Sequence, residues 1–370
     1  MKMLFCGTYM PLEFARKLKH SSEAALKFQR NLLSELIITN DIEVLSYIPY
    51  NDNKIYSLKD GEIENIKVTY IKKNKYKSYL KILIDYSKKM KLLLKDKEGI
   101  FLYNYSYINL FTSYIAKKNN VKSFLILADY DDYNSEKNIL KKLLIKLYEK
   151  NIKKFDGVIF LSNELMNKMD INNKIMIEGG IQLDKYKDLG KPIIKENKIK
   201  IMYSGSLEKV SGVDIYLEAI KKINIKNIEF IFTGKGYLAN EIKKQNDSRI
   251  IYKGMVSEEE YYKLLEQANI LINCKNMNIM ENRNNFPSKV LEYMASGRII
   301  ISTKFSGNEK FVKNILFTES NSKELAENII DLVNNYEKLY LSYYKLNIDK
   351  SKEFSWSNQV KKINSFIKNI

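Results

Sequence analysis

The segment from residue 284 to residue 297 combines a hydroxyl, an ammonium and a carboxylate at helical spacing. Within Asn-Asn-Phe-Pro-Ser-Lys-Val-Leu-Glu-Tyr-Met-Ala-Ser-Gly, Pro287 suits the first turn of a helix. Ser288 and Lys289 then stand where backbone N–H groups and side chains can converge on phosphate oxygens. Glu292 lies on the same face one turn later and can accept hydrogen bonds from both ribose hydroxyls of a nucleotide. Spacing alone fits an exposed glutamate of an amphipathic helix as well.

A glycine-containing loop that follows an apolar run is the second candidate site. The run at 200–204 leads into Gly205 and Ser206, and a helix is predicted near 213–223. Glycine permits close backbone approach, and a helix start offers N–H groups and a positive dipole end. The loop can therefore cradle a diphosphate, with Lys209 as counter-charge. An ordinary strand-to-helix turn has the same pattern.

The common nucleotide-binding fingerprints do not occur in the sequence. The glycines at 232–236 lack the Gly-Lys-Ser/Thr ending of a P-loop, and the loop at 7–11 does not fit G-x-G-x-x-G. The main sequence evidence for a nicotinamide-dependent dehydrogenase is therefore missing. Asp129 and Asp131 lie in the half of the chain away from these loops, so they do not indicate a metal site beside a diphosphate. We expect neither a metal nor another cofactor.

Short apolar runs alternate with periodic segments through both halves of the chain. The runs predict buried strands at 2–6, 100–102, 122–127, 157–160, 200–204, 228–233, 250–252, 270–273 and 298–302. The periodic segments predict helices that include 22–36, 78–94, 110–117, 138–152 and 289–295. Such alternation indicates parallel sheets covered by helices on both faces.

Cap signals and a polar segment divide this series. Ser257 with Glu260 is a capping box, and Gly297 suits a helix C-cap. The polar stretch 184–197 is typical of a linker. We therefore predict an α/β protein of two doubly wound, Rossmann-like domains facing across a cleft. They comprise residues 1–185 and 198–345, and a helix at about 350–370 packs back on the first.

The chain is strongly basic, with 62 Lys and Arg against 44 Asp and Glu and a net charge of +18. Residues 72–97 contain ten lysines interleaved with apolar residues, and residues 137–154 repeat the pattern. These amphipathic segments can dock on an anionic membrane, because each lysine contributes about 1 kcal/mol near anionic lipid. A solvated lysine face and an AT-rich genome are the alternatives.

Cys6 and Cys274 each lie in an apolar run, which indicates two buried, reduced thiols and a cytoplasmic protein. The sequence contains no run of about 18 apolar residues, so no membrane span is predicted.

The segment 286–303 resembles the donor-site signature of the family-4 retaining glycosyltransferases of GT-B fold. It is most similar to the branch that writes this motif N-F-P-S-K-x-L-E-Y-x-A-S-G. The resemblance extends to residues 203–207, to 254–256 with the following helix, and to 354–356. It covers the second half of the chain, whereas the first half matches only in its strand–helix rhythm and in the loop at Gly7.

The resemblance implies a role for each matched residue. Glu292 would hold the donor ribose, while Ser288 and Lys289 would contact the diphosphate or the transferred sugar. The remaining donor-binding residues would be Gly205, Ser206 and Lys209 near the diphosphate, Met255 and Val256 at the base, and Gly7 in the first half of the chain.

Two departures from the family pattern concern charge. Asn284 stands where many members have a second glutamate, so it can hydrogen-bond the sugar but offers no negative charge. Ser206 and Ser211 stand where many members carry Arg and Lys. Lys209 and Lys289 are the residues that could replace this positive charge.

The first half must supply the acceptor site. Many family members use a histidine at a strand end, but the only histidine here is His20, in a loop before the first helix. Asp129 and Asp131 follow the strand at 122–127 and could orient the acceptor or accept its proton. A solvated acidic loop is the alternative.

The resemblance thus implies retaining transfer of a hexose-type sugar from a nucleotide diphosphate sugar. The expected donor is a UDP-sugar, and the expected acceptor is a glycan or lipid-linked acceptor of bacterial surface polysaccharide biosynthesis. Two alternatives stay open, a sugar-nucleotide epimerase of similar fold and a non-catalytic basic RNA- or glycan-binding module. Nucleic acid is not the expected partner.

Overall fold

The chain divides into two units, residues 1–180 with 356–370 and residues 181–355. The computed structural model describes residues 1–18, 23–49, 52–73, 78–128, 130, 136, 138–191, 198–279, 282 and 287–370. The candidates His20, Asp129, Asp131 and Asn284 lie outside the described residues. Each unit is built on a mostly parallel sheet, which confirms the predicted α/β class.

The first unit contains an eight-stranded sheet. Its strands are β1 (Lys2–Gly7), β2 (Asp41–Ile48), β3 (Gly61–Ile63), β4 (Ile66–Lys72), β5 (Gly99–Tyr103), β6 (Lys122–Leu127), β7 (Gly157–Phe160) and β8 (Lys174–Met176). They lie in the order β3-β4-β2-β1-β5-β6-β7-β8, and only the β3–β4 pair is antiparallel. β2, β3, β4 and β8 were not predicted; in β2 and β4, polar residues such as Glu43 and Lys67 interrupt the apolar runs.

Helices cover both faces of this sheet. They are α1 (Leu12–Arg16), α2 (Glu23–Thr39), α3 (Tyr79–Leu93), α4 (Thr112–Lys118), α5 (Ile139–Ile152) and α6 (Asn163–Lys168). Alternate residues of β1 point to opposite faces, so Met3 and Phe5 join one core and Leu4 and Cys6 the other. α2 packs in the first of these cores, whereas α3, α4 and α5 pack in the second.

The C-terminal helix (Trp356–Lys368) belongs to the first unit. Trp356, Ile363 and Ile367 lie in the same core as α2. Gly180 allows the indole to approach closely, because a Cβ at this position would stand 2.3 Å from Trp356 Cδ2. Residues 350–355 are counted with the second unit.

The second unit contains a six-stranded, fully parallel sheet. Its strands are β9 (Ile199–Ser204), β10 (Ile228–Thr233), β11 (Ile250–Gly254), β12 (Ile270–Asn273), β13 (Ile299–Thr303) and β14 (Leu316–Thr318). They lie in the order β11-β10-β9-β12-β13-β14. The chain therefore reverses direction across the sheet between β9 and β12, and the carboxyl ends at such a switch point are the usual ligand site of these folds.

Cap signals correctly located two helix ends in this unit. Its helices are α7 (Val213–Ile220), α8 (Ala239–Lys243), α9 (Glu258–Gln267), α10 (Lys289–Ala295) and α11 (Ser322–Lys352). Ser257 Oγ accepts from the Glu260 N–H at 3.1 Å, which confirms the predicted N-cap of α9. Gly297 follows α10 with a φ of +70°, as its C-cap position requires.

Part of the predicted linker packs with the second unit. Leu183–Lys185 forms a 3-10 turn, and the next residue, Tyr186, is buried in a core shared with Tyr261 and Leu291. The last six residues of that segment, 192–197, lie outside the described residues. The polar residues around Tyr186 led to the prediction of a linker, although the Tyr186 side chain is packed in this core.

We predict that Ile363→Ala lowers the free energy of unfolding of the first unit by about 2–5 kcal/mol, because it leaves a cavity in a closely packed core. Trp356 is the only tryptophan and lies in that core, so its fluorescence during denaturant unfolding reports the change. Lys362→Ala is the control, since Lys362 is the exposed neighbour on the same helix. Equal unfolding midpoints for the two variants would show that the helix is not part of this core.

Candidate functional site

The loops after β9, β10 and β11 meet at one edge of the second sheet. Gly205 follows β9, Gly234 follows β10, and Gly254 ends β11. The Gly205 N–H donates to the Thr233 carbonyl at 3.1 Å, and the Gly234 N–H donates to the Gly254 carbonyl at 2.8 Å. Main-chain hydrogen bonds thus hold the three strand ends together beside the switch point.

Glycine is required where the loops after β9 and β10 cross. Gly234 has a φ of +128°, and a Cβ on it would lie 1.8 Å from the Gly205 carbonyl oxygen. A Cβ on Gly236 would lie 2.3 Å from the Leu207 carbonyl oxygen. Phe232–Gly236 fits no nucleotide fingerprint in the sequence, yet its glycines let the neighbouring loop take its shape.

Two of the predicted donor-binding residues, Ser206 and Lys209, are exposed in the loop after β9. The Ser206 carbonyl accepts from the Tyr203 hydroxyl at 2.8 Å, and the Lys209 N–H donates to the Tyr237 hydroxyl at 3.1 Å. The Lys209 ammonium forms no ion pair with any residue in the described part of the chain. The structure thus fixes the backbone of this loop and leaves the ammonium at the surface.

The first turn of α10 lies at the carboxyl end of β9. The Lys289 ammonium donates to Ser204 Oγ at 3.3 Å, and the Tyr293 hydroxyl lies 3.5 Å from the Ser204 carbonyl oxygen. Pro287 is buried and its carbonyl accepts from the Val290 N–H at 2.9 Å, so the proline opens the turn as predicted. Ser288 is exposed and its hydroxyl makes no capping hydrogen bond. Lys289 and the Gly205 loop, which are 84 positions apart, are therefore neighbours.

Glu292 lies next to a tyrosine that the sequence reasoning missed. The Tyr261 hydroxyl donates to Glu292 Oε2 at 3.0 Å. The Lys289 ammonium lies 4.0 Å from the same oxygen and 4.5 Å from the centroid of the Tyr261 ring. The Glu292 side chain is 22% exposed, so the carboxylate is neither buried nor free in solvent. Tyr261, Lys289 and Glu292 form one cluster at the switch point, called the Tyr261 cluster below.

Burial keeps the hydroxyls around this carboxylate protonated. It raises the pKa of Tyr261 and Tyr186 well above the usual value, and the charge of Glu292 raises both further. The same two causes raise the pKa of Tyr262, where the hydrogen bond with Tyr186 acts in the opposite direction. The hydroxyls therefore remain hydrogen-bond donors at neutral and moderately alkaline pH.

A buried guanidinium connects the two helices that carry the cluster. Arg298 is fully buried and donates to the carbonyls of Glu266 at 2.7 Å and Ala268 at 3.3 Å, at the end of α9. It also donates to the Ser296 carbonyl, at the end of α10, and to the Gly190 carbonyl at 3.0 Å. Burial lowers the pKa of Arg298 to about 10, which leaves the guanidinium charged at neutral pH. The apolar run at 298–302 predicts a strand that begins at Arg298, whereas β13 begins one residue later.

The predicted base-binding residues lie between β11 and α9. Met255 is 60% exposed, and Val256 packs at the edge of the core that contains Tyr261 and Leu265. Gly254 has a φ of +72°, which turns the chain out of the strand. Met255 and Val256 thus precede the helix that carries Tyr261 by a few residues.

Gly7 is the one predicted first-unit site residue that the structure describes. A Cβ on it would lie 2.2 Å from Gln29 Oε1, and the same oxygen accepts from the Thr8 N–H at 2.9 Å. The glycine therefore allows a buried glutamine to close the loop after β1. Within the described ranges, no group of three or more His, Cys, Asp or Glu side chains could hold a metal ion.

Residues 198–335 match the family model for glycosyl transferases group 1. The chain has a glycosyltransferase domain. The match includes every described second-unit residue named above as a donor-site candidate. Comparison with curated proteins gives no significant match.

Solved structures of similar fold align over the length of the chain. HepE of Anabaena in complex with UDP is 14% identical, with a TM-score of 0.75 and 100% of both chains covered. Sucrose-phosphate synthase of Thermosynechococcus elongatus is 11% identical, with a TM-score of 0.74 and coverage of 100% of this chain and 99% of that one. An E. coli trehalose-6-phosphate structure bound with UDP-2-fluoro glucose is 11% identical, with a TM-score of 0.76 and the same coverage. The predicted GT-B fold is confirmed.

We predict that Gly234→Ala destabilises the second unit by at least about 1 kcal/mol and weakens nucleotide binding, because the methyl group would collide with the Gly205 carbonyl. Thermal unfolding and UDP titration measure the two effects. Gly190→Ala is the matched control, since a Cβ there has no neighbour within 4 Å. Unchanged stability and binding in Gly234→Ala would mean that the two loops do not cross as described.

Proposed function

We propose that this protein transfers a hexose from a UDP-sugar to a glycan or lipid-linked acceptor, with retention of anomeric configuration. The observation that carries the proposal is the Tyr261 cluster at the switch point of the matched domain. There an ammonium and a carboxylate lie 4.0 Å apart beside the end of β9. This pairing suits a nucleoside diphosphate, which has an anionic end and a hydroxyl-rich end.

The leaving diphosphate is the group that this arrangement serves. In this proposal the ammonium groups of Lys289 and Lys209 face developing negative charge, and preorganised donors of this type stabilise a transition state strongly. In the proposal they act in place of a metal ion or another cofactor. Glu292 accepts hydrogen bonds from the ribose hydroxyls and holds the ribose beside the phosphate site. Ser288 contacts the diphosphate or the transferred sugar.

Structures of similar fold support the choice of uridine. HepE was crystallised with UDP, with UDP and glucose, and with UDP-glucose, and the E. coli structure holds UDP-2-fluoro glucose. We extend this donor class to the present chain. The exposed Met255 side chain supports contact with a flat base, because methionine adapts to aromatic surfaces.

The acceptor side of the proposal rests on the first unit. Asp129 and Asp131 follow β6 in sequence, and we propose that one of them orients the acceptor hydroxyl or accepts its proton. Asn284 hydrogen-bonds the transferred sugar in this proposal. We assign the product to surface polysaccharide biosynthesis at the cytoplasmic face of the membrane.

We predict that Glu292→Gln weakens UDP binding by roughly 10- to 100-fold, since hydrogen bonds to a charged group are replaced by weaker neutral ones. Isothermal titration calorimetry with UDP measures the loss, and release of UDP from a panel of UDP-hexoses measures turnover. Glu260→Gln is the control, because Glu260 is an exposed carboxylate on α9.

The same panel tests the alternatives. Epimerised UDP-sugar would favour an epimerase, and binding without chemistry would favour a binding module. Equal UDP affinity in wild type and Glu292→Gln would remove the basis for the proposed donor site.

We further propose that the outer side of α3, α4 and α5 docks on an anionic membrane. Exposed apolar side chains occur on all three helices, among them Leu80, Tyr114 and Ile139. Exposed lysines accompany them, namely Lys81, Lys88, Lys91, Lys95, Lys117, Lys118, Lys141, Lys146 and Lys150. Since the three helices pack in one core on one face of the first sheet, their outer sides form one surface. Among the described helices, none is long and apolar enough to cross a bilayer.

We predict that Ile139→Gln reduces binding to phosphatidylglycerol vesicles about 5-fold, because an isoleucine that enters the interface loses part of its apolar burial. Vesicle co-sedimentation at low and high salt measures the change. Ile38→Gln is the matched control: Ile139 is 76% exposed on α5 and Ile38 is 71% exposed on α2, which packs in the other core. Equal loss in both variants, or equal binding to neutral vesicles, would contradict a specific docking surface.

A further inference from the structure

Tyr261 contacts Lys289 and Glu292, two charged residues of the candidate donor site, with different parts of one side chain. Its hydroxyl donates to Glu292 Oε2 at 3.0 Å, and its ring face lies 4.5 Å from the Lys289 ammonium. The ring attracts the ammonium because the face of an aromatic ring carries negative charge density. One residue that touches neither phosphate nor ribose in the proposed complex thus contacts two residues that do.

The Tyr261 side chain is well suited to hold others in place. It is buried at 9% exposure, and α9 is fixed at its start by the Ser257 cap and at its end by Arg298. Glutamate and lysine have long, rotatable side chains that lose considerable conformational entropy when they are fixed. A tyrosine held in a core has already lost that entropy during folding, so contact with it orients Glu292 and Lys289 before a ligand arrives.

We propose that Tyr261 is a positioning residue that aligns Glu292 for the donor ribose through its hydroxyl and Lys289 for the diphosphate through its ring. This inference rests on the proposed function. A carboxylate has about four acceptor positions, so the Tyr261 hydroxyl and a ribose diol can bind the same group at once. The two parts of the side chain predict two separable defects, one at the ribose and one at the phosphates.

The ribose part is tested with Tyr261→Phe, which removes the hydroxyl and keeps the ring. Binding of UDP and of 2′,3′-dideoxyuridine diphosphate is measured by calorimetry for wild type and variant. We expect UDP affinity to fall about 10-fold and dideoxy-UDP affinity to change less than about 2-fold, because only UDP uses the oriented carboxylate. In a Glu292→Gln background, Tyr261→Phe should have little further effect on UDP affinity.

The phosphate part is tested with Tyr261→Leu, which removes the ring as well. The ratio of UDP to UMP affinity reports the contact of Lys289 with the terminal phosphate. We expect Tyr261→Leu to lower this ratio about 3- to 10-fold and Tyr261→Phe to leave it unchanged, since a phenyl ring still faces the ammonium. Tyr336→Phe is the control for loss of a buried tyrosine hydroxyl, because that hydroxyl accepts from Asn269 elsewhere in the second unit.

The outcomes separate this inference from the proposed function. Equal losses of UDP and dideoxy-UDP affinity in Tyr261→Phe would show a merely structural role and overturn the inference. Unchanged UDP affinity in Tyr261→Phe, together with weakened binding in Glu292→Gln, would also overturn it while the donor site stands. If neither Tyr261→Phe nor Glu292→Gln changes UDP affinity, or if the wild type does not bind UDP, both the inference and the proposed function are overturned. Tyr261→Phe could lower the unfolding temperature more than Tyr336→Phe does. In that case the effect of Tyr261→Phe on UDP affinity is measured in the Glu292→Gln background. Losses of affinity that add up there would contradict a positioning role.

Discussion

Arg298 brings a full positive charge into the interior of the second unit, and the geometry of the candidate site depends on how that charge is satisfied. Burying an unpaired guanidinium would cost several kcal/mol. Here the cost is offset by carbonyl oxygens at the ends of α9 and α10, which lack partners within their own helices. The two helices are therefore held at one spacing. Tyr261 lies on α9 and Glu292 on α10, so the hydrogen bond between them follows from the same constraint.

The phosphate side of the site depends on a different constraint, which is steric. The loops after β9 and β10 cross so closely that Gly234 has no room for a side chain. This crossing fixes the Gly205 loop beside Ser204, where the Lys289 ammonium is bound. The crossing of the two loops and the buried charge of Arg298 thus both restrict the Tyr261 cluster. Side chains that are long and mobile elsewhere are held in place here before any ligand binds.

The sequence allowed good prediction of whatever depends on local pattern. Apolar runs located the central strands to within one or two residues, and Ser257 and Gly297 located helix ends. β2 and β4 were missed because polar residues interrupt their apolar runs. Tyr261 and Arg298 were missed for another reason: their roles arise from contacts with residues about 30 positions away. The adjacent tyrosines on a capped helix and an arginine at the start of an apolar run were the available signals, and neither specifies a partner.

The contacts of Arg298 are all with main-chain oxygens, and this bears on how the protein tolerates substitution. A carbonyl group is the same in every residue, so the guanidinium does not distinguish which amino acids occupy positions 190, 266 and 296. Substitutions at these positions therefore preserve the contacts of Arg298 with the two helices wherever the backbone keeps its path. Structures with 11–14% identity that share this fold illustrate how far sequences can diverge while a backbone path persists.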